Sequence, residues 1–159
     1  MSFSLIIHGG AGSGSKSLFT RLHHSDNIFE NMETLYKDAL YNITAIGQQM
    51  LKDGSTAIDV VERCCIELEN NELFNAGVGS SRDIEGNITH EAVIVDGKTL
   101  KSGGICDSNI IKNPIRCARL LLSKSLTLSG NKNIKKFIID NKHMRHIDIT
   151  TPSHFKSEF

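Results

Sequence analysis

The run His8-Gly9-Gly10-Ala11-Gly12-Ser13-Gly14-Ser15-Lys16-Ser17 is the part of this 159-residue chain richest in groups that do chemistry. In one reading it is a phosphate cradle. Successive backbone N–H groups surround a phosphate, and a lysine directly after the last glycine reaches the outer phosphates. Here Ser15 stands between Gly14 and Lys16, which displaces both the lysine and the hydroxyl that would meet Mg²⁺. No good Walker-B strand ending in Asp follows to complete a nucleotide site, so a P-loop-like nucleotide binder is the weakest functional reading. In the other reading, Gly9 and Gly10 end a strand and let the backbone approach a neighbouring site closely.

The remaining reactive residue types carry less. Cys64, Cys65, Cys106 and Cys117 form no C-x-x-C pair, and the adjacent two lie in a helical apolar pattern. They read as buried thiols of a reducing compartment, without zinc-ligand spacing. His143, His146 and His154 fall in a polar, basic stretch and read as scattered surface histidines. The formal charge is zero but divided: residues 1–97 carry 6 Lys/Arg against 14 Asp/Glu, and residues 98–159 carry 12 against 4. The basic residues are dispersed and no nucleic-acid motif accompanies them, so nucleic acid is not the expected partner. Attraction between the halves, or an acidic partner, accounts for the division. No apolar run approaches the ~18 residues of a helical membrane span, and the N-terminus lacks a basic leader region. A cytoplasmic protein with no membrane partner is expected.

Periodicity supplies the elements that would hold these groups. Residues 5–7 predict a buried strand. From Asp26 to Asp53, Ile28, Met32, Leu35, Tyr36, Ala39, Ile43, Ile46 and Met50 recur at helical steps, and Gly54 closes the helix. A second helix follows, capped by Ser55 or Thr56, with Ile58, Val61, Cys65 and Leu68 as its buried side. Residues 70–79 are irregular. Residues 88–95 predict a strand with Ile88, His90, Ala92 and Ile94 on one face and Val93 and Val95 on the other. Asp96-Gly97 signals a hairpin into a strand over residues 100–106. Asn113-Pro114 opens a helix with Ile115, Ala118, Leu121 and Leu122 inside. A short strand at 126–128 and a helix carrying Ile134, Phe137 and Ile138 complete one domain over residues 1–141. Residues 142–159 predict a polar, poorly ordered tail. The fold class is α+β, with helices packed on antiparallel strands.

Five segments, collinear over residues 4–122, bear a resemblance: I-H-G-G-A-G at 7–12, S-T-A-I-D-V-V-E at 55–62, L-E-N-N-E-L-F-N-A-G-V-G-S at 68–80, A-V-I-V-D-G-K-T-L at 92–100, and the helix start from N-I-I-K-N-P at 109–114 through Ala118-Arg119. Together they resemble the plant-type L-asparaginase and isoaspartyl peptidase family of N-terminal-nucleophile hydrolases. The resemblance implies the α half of an αββα sandwich, made as a precursor that cuts itself. It implies a threonine at the start of a β part whose hydroxyl attacks a side-chain amide or isoaspartyl bond. The free α-amino group, with an ordinary pKa of about 8, serves as base.

That threonine lies in a G-T-V-G motif, which this sequence does not contain; Thr150 and Thr151 run into Pro152 instead. The expectation is therefore an α-type portion with no catalytic residue of its own, inactive without a β-type subunit and assembling with it as (αβ)2. Alternatives are a non-catalytic relic or binding subunit, or the α portion of a taspase-like threonine protease. The resemblance also implies a sodium-binding loop whose ligands are the backbone carbonyls of Leu68, Glu69, Asn71, Phe74, Ala76 and Val78. It implies Asn75 reaching toward the nucleophile, and Gly9 and Gly10 as a flexible loop beside the active site. His90-Glu91 stands where the family usually has Met-Asp, and Asp107 where an apolar residue is common.

Overall fold

A computed structural model describes residues 2–11, 26–141 and 147–151, with the side chains of 26–31 excepted. The stretch from Gly12 through Lys16, and with it the phosphate-cradle reading, lies outside the described residues, as do His143, His146 and His154. The long apolar stripe forms α1 (Asp26–Lys52), and the chain reverses at Gly54 into α2 (Ala57–Glu69). Thr56, not Ser55, caps α2: its hydroxyl oxygen accepts from the Asp59 N–H at 3.3 Å and donates to the Asp59 carboxylate at 2.6 Å. Between the two helices Ile43, Val60, Cys64 and Phe74 form a core.

The buried side of α2 differs from the sequence pattern. Val60 and Cys64 face α1, while Ile66, with Ile58 and Cys65, packs against α3 (Pro114–Leu122) and the sheet. A helix held on two sides has two apolar stripes, and Val61 falls in the gap between them, 41% exposed. Arg119 of α3 reaches across to Asp59 at 3.1 Å.

The sheet is β1 (His90–Asp96), β2 (Lys101–Ser108) and β3 (Thr127–Ser129), in that order. β1 and β2 are antiparallel, but β3 runs parallel to β2, so the sheet is mixed and not purely antiparallel. The reason is the connection: α3 carries the chain back across the sheet before β3 begins, which is the geometry of a parallel pair. The hairpin is longer than a two-residue Asp-Gly turn. Asp96 accepts from the Lys98 N–H at 3.0 Å and the Thr99 hydroxyl at 2.6 Å, and the loop closes with Leu100 N–H on the Asp96 carbonyl. Opposite the start of β1 the register slips: His90 faces Ser108 but Ala92 faces Ile105. β2 absorbs the extra residue with Asp107 at φ 52°. A short polar side chain tolerates that conformation better than the apolar residue expected there.

Gly103 sits on the inner face of β2, where α3 lies so close that a Cβ would come within 2.2 Å of the Ala118 carbonyl oxygen. Below it Ile105, Ile111, Cys117, Leu121, Ile134 and Ile138 join β2, α3 and α4 (Asn131–Asp140) into one core. Residues 147–151, placed by composition in the tail, are tied to this core. Ile149 bridges Ile111, and the Thr150 N–H donates to the Ile110 carbonyl at 2.8 Å.

All four cysteines are free thiols, and burial pushes Cys65 up to about 11 and Cys117 to about 12, which keeps both protonated and inert. Among the described residues two surfaces are bare. On the sheet face away from the helices, Val93 and Val95 are 66% and 58% exposed, opposite Gly104 and Ser102. Residues 5–7, expected as a buried strand, pair with no strand among the described residues. Leu5 and Ile7 are half-buried against the α1–α2 core and Ile6 is 92% exposed. The alternation is that of a strand with one covered face.

Candidate functional site

Between α2 and β1 the backbone folds into consecutive tight turns. The Asn71 N–H donates to the Leu68 carbonyl, Phe74 N–H to Asn71, Ala76 N–H to Phe74 and Gly79 N–H to Ala76, over distances of 2.7–3.2 Å. The Asn71 side chain adds a bond from the Leu73 N–H at 2.9 Å. Phe74 pins this loop into the α1–α2 core, edge-on to Tyr36 with ring centroids 5.8 Å apart. Gly77, at φ 54°, turns the chain back so tightly that a Cβ there would lie 2.0 Å from the Glu69 carbonyl oxygen. The loop is thus closed on itself and dense in carbonyl oxygens.

Carbonyl oxygens are the kind of donor a hard cation takes. The carbonyls of Asn71, Phe74 and Ala76 each accept one N–H and keep a second lone pair, whereas the Leu68 carbonyl accepts from both the Asn70 and the Asn71 N–H. Among the described residues no three His, Cys, Asp or Glu side chains gather to hold a metal ion.

The first glycines belong to the same neighbourhood. Gly9 packs on Phe74, near enough that a Cβ would fall 2.8 Å from its ring, while the Gly10 N–H donates to His8 Nδ1 at 3.0 Å. Asn75, next in chain to the buried Phe74, faces outward. Its Oδ1 accepts from the Ser81 N–H at 2.8 Å. The acceptor end of the amide is therefore engaged by backbone, and what Asn75 offers to a reacting group is its –NH2, a donor. It borders a cavity of about 360 Å³ whose walls also include Ser80, Thr89, His90, Glu91 and Glu69. Gly9 thus meets the ring of Phe74, the residue before Asn75, while neither Gly9 nor Gly10 is among the residues that wall the cavity.

Two wall residues were not legible as site side chains. Glu69 entered only through its carbonyl, yet its carboxylate does more. Oε1 accepts from the Ile115 N–H at 3.0 Å and so caps α3, while the cap-position Asn113 turns its amide to Asn70 at 3.0 Å. Oε2 is buried without a hydrogen-bond partner. The sequence signal was an acid in the last turn of α2, the end of a helix that disfavours negative charge. Burial pushes Glu69 up to about 7, against the pull of the Ile115 N–H. Burial lowers His90, the second missed residue.

The signs of these shifts fix a pH profile. Glu69 holds a proton in the folded chain that the unfolded chain releases between its ordinary 4.5 and about 7. Its stabilising contribution is complete below pH 4.5 and is lost as pH rises through 7. His90 does the reverse, since the unfolded imidazole protonates below its ordinary 6.5 while the folded one resists. Stability therefore declines on both sides of mildly acidic pH. Glu69→Gln keeps the Ile115 bond and removes the alkaline decline, worth on the order of 3 kcal/mol. Denaturant midpoints measured from pH 5 to 8 test this, and an unchanged slope in the variant contradicts it.

Comparison with known proteins completes the description. Residues 1–146 match the family described as Asparaginase. The chain is 34% identical over 125 residues to an isoaspartyl peptidase/L-asparaginase of Mus musculus, covering 79% of this chain and 34% of that protein. It is 34% identical over 121 residues to the protein of the same name from Xenopus laevis, covering 76% and 35%. It is 38% identical over 125 residues to an isoaspartyl peptidase of Escherichia coli K12, covering 76% and 35%. The chain spans about a third of the length of these relatives.

Proposed function

The chain belongs to the asparaginase family that includes isoaspartyl peptidases, and on that premise we propose that it is the α-type portion of a hydrolase cleaving side-chain amides or isoaspartyl peptide bonds. The observation that carries this is the position of Asn75. Its acceptor end is fixed and its donor end presented, at the edge of a cavity walled by the turn after it and the start of β1.

The nucleophilic threonine comes from a β-type segment, since the chain holds no G-T-V-G motif. The threonine hydroxyl adds to the substrate carbonyl. The C–N bond breaks, ammonia or an amine leaves, and water releases the acyl group. Asn75 donates to the attacking hydroxyl or to the developing oxyanion. The β-type segment also lays a second sheet over Val93, Val95 and Gly104, completing the αββα sandwich, and supplies a strand beside residues 5–7. The two bare surfaces support this placement. Pairing of two such units gives the (αβ)2 assembly.

The carbonyl-rich loop seats a sodium ion. In sodium chloride, compared with choline chloride at equal ionic strength, the thermal midpoint rises and saturates. At tenfold over its dissociation constant the ion contributes about 1.4 kcal/mol. Equal stability in both salts contradicts the sodium site.

The test of function is release of ammonia from asparagine, and of the amine product from an isoaspartyl dipeptide. The chain is assayed alone and co-expressed with a family β-type segment. Turnover only in the pair is expected. An intact pair without turnover points instead to a non-catalytic binding subunit.

A further inference from the structure

We propose that His90 is a positioning residue: through the Ser80 hydroxyl it sets the direction in which Asn75 presents its amide. The proposal rests on the reading of Asn75 given above and adds a residue to it. The register slip in β2 seats His90 opposite Ser108 and turns its ring inward, where it is 4% exposed. His90 Nδ1 lies 3.3 Å from Ser80 Oγ. The next peptide unit joins Ser80 to Ser81 and is planar, so with the Ser80 backbone held at ψ 140° the direction of the Ser81 N–H is set. That N–H is the donor to Asn75 Oδ1, at 2.8 Å.

The turn is fixed at its entry by Gly79 N–H on the Ala76 carbonyl and by Gly77 against Glu69. At its exit, His90 ties it to the sheet. The path from sheet to active-site amide is therefore four groups long: imidazole, hydroxyl, peptide N–H, carboxamide. A hydroxyl both donates and accepts, so Ser80 suits either imidazole tautomer. A residue that only filled space at position 90 would need no nitrogen facing Ser80.

The experiment uses the isotope-labelled 159-residue chain. It follows amide exchange at Ser81 and the side-chain –NH2 resonances of Asn75, with the global denaturation midpoint measured in parallel. His90→Met keeps apolar bulk and removes the nitrogen. We expect exchange at Ser81 to quicken about fivefold to tenfold, and the two Asn75 –NH2 resonances to move toward each other, with the midpoint little changed. His90→Asn, whose amide reaches about as far as Nδ1, restores both signals. Ser80→Ala reproduces the loss at a partly exposed position and serves where the Met variant folds poorly.

Unchanged Ser81 exchange in Ser80→Ala overturns the proposal. So does failure of His90→Asn to rescue, or a change at Ser81 that tracks global stability. The readout needs neither partner nor turnover. An absent hydrolysis in the paired assay would therefore count against the proposed function and leave this clasp standing.

Discussion

Gly103→Val abolishes cooperative folding of the chain at 25 °C, or leaves it at least about 3 kcal/mol less stable. Three backbone atoms of α3 stand where the new Cβ would go: the Ala118 carbonyl oxygen at 2.2 Å, the Leu122 nitrogen at 2.4 Å and the Leu121 carbonyl carbon at 2.8 Å. None is the end of a flexible side chain, so α3 must lift as a body. Lifting it opens the contacts of Ile115, Ala118 and Leu122 with Ile94 of the sheet, and those of Leu121 with Ile105. It also pulls the Ile115 N–H from Glu69, exposing the site to the same disturbance. A typical domain holds only about 5–15 kcal/mol in total. Chemical denaturation followed by circular dichroism is the check, and a loss under about 1 kcal/mol contradicts the packing of α3 on β2.

Asn75→Ala lowers kcat of the paired hydrolase about a hundredfold, with KM changed much less. The size is that of removing one preorganised donor from a site of developing charge. The stability of the chain falls by only about 1 kcal/mol, since the variant loses one partly exposed hydrogen bond to Ser81. Separating these readouts matters because Asn75 both closes its loop and faces the cavity. Steady-state kinetics on asparagine decide between the roles: a change in kcat below about threefold means that closing the loop is all it does.

Much of this was legible because local chemistry acted locally. Helical spacing around Ile43 and Ile46, the glycine at 54, Thr56 as a cap and Asn113-Pro114 as a helix start each depend on near neighbours, and each formed where the pattern put it. The loop around Asn75 was legible only through resemblance, since no periodicity marks a run of turns. The features that escaped depend on distant partners. Val61 is exposed because α2 is gripped from two sides. β3 is parallel because of where α3 returns the chain. The Glu69 carboxylate caps a helix 46 residues further on. Residues 147–151, read with the polar tail, meet the core through Ile147 and through backbone bonds to residues 110–112.

The bare strand at residues 5–7 and the bare valines of β1 share a cause. Both have the alternation of covered strands, and among the described residues nothing covers Ile6 on the one or Val93 and Val95 on the other. A sheet face of this kind, next to an open strand edge, is a template for association. Light scattering of the chain alone across a wide concentration series tests the half-sandwich most directly. The mass should climb above that of a single 17.5 kDa chain as concentration rises, and Val93→Lys with Val95→Lys should return it to one chain. A wild-type chain that stays at 17.5 kDa throughout the series would show that this face needs no second layer.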